Sequence, residues 1–206
     1  STWAKATRRP IYLRIGYEFD GPHNELEPTE YVAAYRHIVD IMRSERVRNV
    51  AFVWHSYASQ PYQGHPLSAW YPGDEYVDWV GISLFGHMYS SGVRRELAAV
   101  FDFAQPHRKP VMVAEASPIN GISERNVQAW NTWFVNFFSL AYRRNIRAIS
   151  FINANWERFD FPGLSWGDAR LQNNERVAEA WFLETTQPRY LQASPELIEQ
   201  LGFPSN

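Results

Sequence analysis

The stretch RPIYLRIGYEFDGP (residues 9–22) begins as an apolar run and ends on Glu18 and Asp20 beside a Gly-Pro break. An ionised carboxylate withdrawn from water needs either a partner or a task, so charge at the tip of a buried strand is informative. The pattern returns in KPVMVAEASP (residues 109–118), where Glu115 follows Val-Met-Val-Ala and precedes a Ser-Pro break. Three more short apolar or β-branched runs occupy residues 50–54, 79–84 and 148–152. With residues 11–15 and 111–114 they predict five strands, each buried on both faces.

Amphipathic helical patterns separate these runs. In residues 28–46, Tyr31, Tyr35, Ile38, Val39 and Met42 share one face, and Pro28 suits the first turn. Residues 91–104 repeat the pattern with Val93, Leu97, Val100 and Phe101. Residues 123–144 do so more strongly, with Ser123 as N-cap and Val127, Trp130, Phe134, Phe137 and Ala141 on one side. Residues 174–184 form a fourth helix, and the ending predicts a short fifth, with Ser194 as N-cap, Pro195 at N1 and Gly202 as stop. The segment at residues 70–74, Trp-Tyr-Pro-Gly-Asp, predicts a turn before the third strand.

Strands alternating with helices imply an α/β fold built of βα units on a parallel sheet. Five units are fewer than the eight of a closed (β/α)₈ barrel, so the alternatives are an open five-stranded sheet or the later part of a barrel. The opening TWAKATRRP reads as the tail of a helix entering a strand, which favours a partial (β/α)₈ TIM-barrel type. That choice leaves an open edge at residues 11–15, to be covered by an upstream segment or by a second copy of the chain in a homo-oligomer.

The 206 residues are 45 % hydrophobic, enough for one substantial core. A formal charge of -2 gives no reason to expect nucleic acid or a membrane surface as partner. No apolar run reaches the roughly 18 residues of a membrane span. The opening STWAKATRRP lacks the apolar core of a signal peptide. With Cys 0, disulfides, zinc thiolates and cysteine nucleophiles are excluded. Aromatic residues reach 16 %, and several follow strands; such rings pack on the apolar face of a sugar, although many serve only as core.

In barrels and open α/β sheets, sites form at the C-terminal ends of the strands. Those ends carry Tyr17, Glu18 and Asp20, then Trp54 and His55, then Phe85, then Glu115, then Asn153, Asn155 and Trp156, with Trp166 and Asp168 beyond. Two glutamates on different strand ends can face one cavity. Glycoside hydrolysis needs such a pair, one carboxylic acid to protonate the leaving oxygen and one carboxylate to attack the anomeric carbon or activate water. A structural alternative for Glu18 is an ion pair with Arg14. Asp20, Trp54, His55, Asn153, Asn155, Trp166 and Asp168 are candidates to bind hydroxyls or stack on rings, and equally to cap turns.

Other chemistries fit poorly. The nearest approach to G-x-S-x-G is Gly81-Ile-Ser83-Leu-Phe85, which fails at its last position. The six His are scattered with no H-E-x-x-H, no phosphate-cradling or dinucleotide glycine motif occurs, and no metal or other cofactor is expected.

The order RIGYEFDG, YPGDEYVDWVGIS, KPVMVAEASP, ISFINANW resembles the later half of retaining glycoside hydrolases of clan A, most of all family 26, the β-mannanase family. The resemblance implies an eight-stranded barrel, with Glu18 as acid/base after strand four, Glu115 as nucleophile after strand seven, and Trp156 as aromatic platform under the sugar. It covers nearly the whole chain, a single catalytic domain over residues 1–206 whose first three βα units would lie upstream. It further implies an endo-acting enzyme on a β-linked polysaccharide or oligosaccharide, with β-mannan as the suggested substrate, and a secreted or periplasmic location. Two positions depart from the family pattern. Tyr17 stands where His usually precedes the acid/base, and the aromatic residue that supports the nucleophile falls at either Phe85 or Tyr89. The rival reading is a non-catalytic carbohydrate-binding or assembly module with a partial barrel fold.

Overall fold

The computed structural model describes residues 1–7, 9–59, 64–89, 94–123, 128–159, 166–194 and 196–201. Its elements run α1 (Thr2–Thr7), β1 (Ile11–Arg14), α2 (Pro28–Ser44), β2 (Val50–Ser56), β3 (Trp79–Leu84), α3 (Arg95–Ala104), β4 (Val111–Ala116), α4 (Val135–Arg143), β5 (Ala148–Ile149), α5 (Glu175–Thr185) and α6 (Leu197–Gln200). The strands form one sheet in sequence order, β1-β2-β3-β4-β5, with β1 parallel to β2 and β2 parallel to β3. Successive strands that pair side by side with a connection between each are the repeating unit of a (β/α)₈ barrel, here present five times. No helix among the described residues is long and apolar enough to cross a membrane.

The chain divides into two compact units. The first comprises Ser1–Ser83, Arg95–Met112 and Ala193–Asn206. Its core is aromatic: Phe19 stacks on Trp54 with ring centres 4.5 Å apart, and Tyr31 and Trp70 close around Phe19 at 5.2 and 5.5 Å. Helix α2 supplies Tyr31, Tyr35 and Val39 to this core from one face, and Pro28 opens it at N1 or N2 as the sequence predicts. Ile38, at i+7 from Tyr31, sits at the flank of that face and is exposed instead of buried. The Tyr31 hydroxyl donates to the Ile15 carbonyl at 3.1 Å and so ties α2 to the end of β1. Gly16, at φ +58, makes the turn there; a Cβ would stand 2.8 Å from the Tyr31 ring.

The second unit comprises Leu84–Arg94 and Val113–Gln192. Trp133, Phe134, Phe137, Phe138, Leu140 and Ala141 bury one side of the segment around α4. The expected uninterrupted α-helix over residues 123–144 is corrected: among the described residues, Trp130–Phe134 is a π-helical turn that leads into the α-helix Val135–Arg143. The wider turn lets the Trp133 indole N–H donate to the Phe85 carbonyl at 2.8 Å while Trp130 stacks on Phe134 at 5.1 Å. Helix α5 starts with Asn174 as N-cap, its side chain accepting from the Val177 N–H. The expected helical residues Val93 and Val127, and the terminal signals Pro195 and Gly202, lie outside the described residues.

The predicted strands differ from the observed ones at their ends. β2 and β4 each run two residues further, which puts His55 and Glu115 inside strands, not after them. β5 is only Ala148–Ile149, prolonged by single bonds from Ser150 N–H to Val113 O and from Ile152 N–H to Ala116 O. Full burial of every strand is also corrected. β1 alternates between partly buried and exposed residues, and β5 is only partly buried, because these are the two edges of the sheet.

Candidate active site

In the first unit, the chain leaving β1 folds back on itself. Phe19 N–H donates to the His55 carbonyl at 3.1 Å, which docks the turn beside β2. Glu18 is 6 % exposed and adopts φ 49, a left-handed conformation that costs a non-glycine residue about 1 kcal/mol or more. Its Oε2 lies 2.8 Å from His23 Nε2. The Asn24 side-chain amide donates to the carbonyls of both Tyr17 and Glu18, at 2.8 and 3.0 Å, and closes the turn. Tyr17 is 48 % exposed beside the His23 ring.

Asp20 serves as a clamp. Its two carboxylate oxygens accept from the Ser56 hydroxyl and the Tyr57 N–H, each at 2.6 Å, joining the turn after β1 to the chain after β2. Burial pushes its carboxyl above the usual range, and these two donors pull it partly back. Both oxygens are thus engaged within the protein.

Trp54 and His55, expected at the rim of a cleft, are interior. Trp54 is 0 % exposed, covered by Phe19 and Phe103, with its indole N–H on the Trp70 carbonyl at 2.9 Å. Successive residues point to opposite sides of a strand, and here both sides of β2 are covered, so neither ring reaches solvent. His55 bonds Ser83 Oγ through Nε2 at 2.9 Å and faces Arg14 Nη1 through Nδ1 at 3.4 Å. Arginine only donates, so Nδ1 accepts and Nε2 carries the hydrogen. Burial, then the Arg14 charge, pushes the imidazole down to about 3, and it stays neutral.

In the second unit, Glu115 is the penultimate residue of β4 and its one partly exposed member. Two residues on, the Ser117 hydroxyl accepts from the Trp156 indole N–H at 2.9 Å, which fixes that ring relative to the end of β4. Trp166 meets Trp156 edge-on at 5.2 Å and Phe85 at 5.0 Å, so these three expected aromatic residues form one cluster. Phe85 is nearly buried. Tyr89 lines a cavity of about 230 Å³ with Asn120, Thr132 and Trp133, and its hydroxyl accepts from the Asn120 N–H at 3.0 Å.

The remaining polar candidates hold their own loop. Asn153 accepts from the Leu171 N–H at 2.7 Å, and Asn155 accepts from the Glu157 N–H at 3.0 Å to cap a short 3₁₀ turn at Trp156–Arg158. Asp168 takes three bonds from the Arg170 guanidinium between 2.6 and 3.0 Å, which holds its carboxyl down to about 2. Among the described residues no group of three His, Asp or Glu gathers as a metal cluster.

His23, Ser56 and Ser117 carry roles that the sequence reading does not assign, and Ser83, there weighed only as a failed G-x-S-x-G serine, bonds His55 instead. Ser117 stands in the same AEASP motif as Glu115, and His23 in the GPHN turn after Asp20, so position near a strand end was the available signal.

The model of glycosyl hydrolase family 26 matches residues 11–156. A β-1,3-xylanase of a Vibrio species is 30 % identical over 220 residues, covering 95 % of this chain and 47 % of that protein. A β-1,3-xylanase of an Alcaligenes species is 29 % identical, covering 95 % of this chain and 46 % of that protein. The chain thus spans about half the length of the curated relatives it matches. Among solved structures, a family 26 β-mannanase from Bacteroides ovatus superposes with a TM-score of 0.63 at 17 % identity, over 89 % of this chain and 52 % of that one. With the family model matched from β1 to the loop carrying Trp156, the chain belongs to glycosyl hydrolase family 26.

Proposed function

We propose that the protein is an endo-acting retaining glycosidase of a β-linked polysaccharide, with Glu18 as acid/base and Glu115 as nucleophile. The observation that carries this reading is the placing of the two glutamates within a family 26 chain. One is buried just past the end of β1 and the other is partly open at the end of β4, the strand ends where barrel enzymes do their chemistry. In this reading residues 1–206 belong to one catalytic domain and carry the fourth to eighth βα units of its barrel.

The reaction is a double displacement. The Glu115 carboxylate attacks the anomeric carbon as the glycosidic C–O bond breaks, and the Glu18 proton passes to the departing oxygen. Water then attacks the same carbon and gives its proton to Glu18, and the bond to Glu115 breaks. The proton lost in the first half is regained in the second. Trp156, fixed by Ser117, supplies the ring on which the sugar at the cleavage point stacks.

β-1,3-Xylan is the favoured substrate, because the relatives named β-1,3-xylanase share about 30 % identity with this chain whereas the structurally similar β-mannanase shares 17 %. Tyr17, standing where His is usual in the mannanase-like pattern, agrees with a shift in the sugar recognised. β-Mannan is the second reading, favoured by the fold comparison.

The test is release of reducing ends from β-1,3-xylan and from β-1,4-mannan, with the anomer first formed read by NMR. Retention on β-1,3-xylan is expected. Retention on mannan alone would reverse the choice of sugar. Inversion would overturn the double displacement, and its structural counterpart is a carboxyl separation of about 6.5 to 9.5 Å in place of about 5 to 5.5 Å. Binding of either glycan with no bond cleaved would instead support the carbohydrate-binding module.

A further inference from the structure

We infer that His23 is a positioning residue for the acid/base, holding Glu18 Oε2 so that the other carboxyl oxygen meets the glycosidic oxygen; this rests on the reading of Glu18 as acid/base. Three features of the turn point to it. The first is the 2.8 Å approach of Nε2 to Oε2, in which the carboxylate side chain is 7 % exposed and the imidazole 43 %.

The second is that the turn is built to bring the ring there. The Gly21 N–H donates to the Glu18 carbonyl at 2.8 Å, and the Asn24 N–H to the Gly21 carbonyl at 3.2 Å, so the chain reverses twice within residues 18–24. At position 21 a Cβ would lie 2.5 Å from His23 Cε1 and 3.0 Å from the Glu18 carbonyl oxygen, so any larger residue would displace the imidazole. The third is lateral support. The His23 ring meets Tyr57 edge-on at 5.3 Å and lies against Tyr17 at 6.5 Å, which limits its swing.

The charged and titratable groups around His23 include Glu18 and Asp20 from its own turn and the rings of Tyr17 and Tyr57. Imidazole suits the task because the acid/base alternates between carboxyl and carboxylate. Nε2–H donates to Oε2 in both states, because that oxygen keeps an acceptor lone pair whether the other oxygen carries the proton or has passed it to the leaving group. The glutamate is therefore held in one rotamer through both halves of the cycle. A misplacement of about 1 Å at such a group costs roughly 100-fold in rate.

The experiment compares the parent with His23→Ala, His23→Gln, Glu18→Ala and the Glu18→Ala/His23→Ala pair, each checked for folding by circular dichroism. The readout is kcat/KM on the natural glycan and on aryl glycosides with good leaving groups, which need little protonation. For His23→Ala, a fall of about 10- to 100-fold is expected on the glycan with little change on the aryl substrates. His23→Gln, which keeps a hydrogen-bonding group, should recover part of the loss. The paired variant should be no slower than Glu18→Ala alone, since His23 acts only through Glu18. Equal losses on both substrate classes, or losses that multiply in the pair, would overturn the role of His23. Equal losses on both classes for Glu18→Ala itself would overturn the acid/base assignment instead, so the two failures are told apart.

Discussion

The two glutamates live in unlike surroundings. Glu18 sits outside regular structure, buried, at a left-handed backbone angle and in contact with a histidine. Glu115 sits inside a regular strand, with only buried neighbours in β4 and its own side chain partly open. The difference matches the unlike tasks proposed for them. An acid/base has to hold its proton or release it, so it is best served by a shielded site with a partner for both forms. A nucleophile has to stay ionised and reach a carbon atom, for which a stiff strand and access are enough.

The largest effect expected from breaking this contrast is at Glu115. Glu115→Gln should lose turnover by about 10,000-fold or more while keeping its circular dichroism spectrum; a variant as fast as the parent would remove the nucleophile from the scheme. Glu18→Ala should lose about 100- to 10,000-fold on the natural glycan and much less on substrates with good leaving groups. Chemical rescue by azide, giving a β-glycosyl azide, would sharpen the assignment, because the small anion enters the space left by the base.

The tryptophans extend the comparison from chemistry to packing. Trp54→Ala should lower the unfolding free energy by about 3–5 kcal/mol in denaturant titration, since the ring is enclosed in the first unit's core. Trp156→Ala should leave stability less affected and raise KM for the glycan up to about tenfold, the worth of one stacked ring. Reversed outcomes would exchange the roles of the two rings.

The smallest effect expected is a pH dependence. Arg170 holds the Asp168 carboxyl at about 2, below its ordinary 3.8, so between these values the folded protein binds fewer protons than the unfolded one. The pair's contribution is complete above about pH 4 and is lost as pH falls toward 2. Asp168→Asn should remove only that increment, a change of about 2 °C or less in Tm at neutral pH, because the pair is largely solvated.

How much of this could be read in the chain varied with the physics involved. Runs such as Val-Met-Val-Ala mark strands by themselves, so the sheet and both glutamate-bearing strand ends were legible. In a strand covered on both sides, however, no alternation says which face a side chain takes, and Trp54 and His55, read as sugar contacts or turn caps after the strand, lie instead in its buried length. The π turn at Trp130–Phe134 keeps the composition of an α-helix and has no separate signature. The contact of His23 with Glu18 depends on a close approach at Gly21 that exists only in the folded chain. Asn153, Asn155 and Asp168 were found where expected, yet each bonds within its own loop, the commoner use of such residues in turns.

The left-handed backbone of Glu18 has an evolutionary side. Asparagine and glycine take that conformation at less cost than glutamate, and neither would bury a carboxylate. Selection for stability alone would thus favour losing the acid at this position, and, on the role proposed for Glu18, a family member with Asn or Gly there would melt higher and be slow on natural glycans. If Glu18 is the acid/base proposed here, selection on activity would hold it in place against that pull, and the turn would embody a conflict between endurance and work.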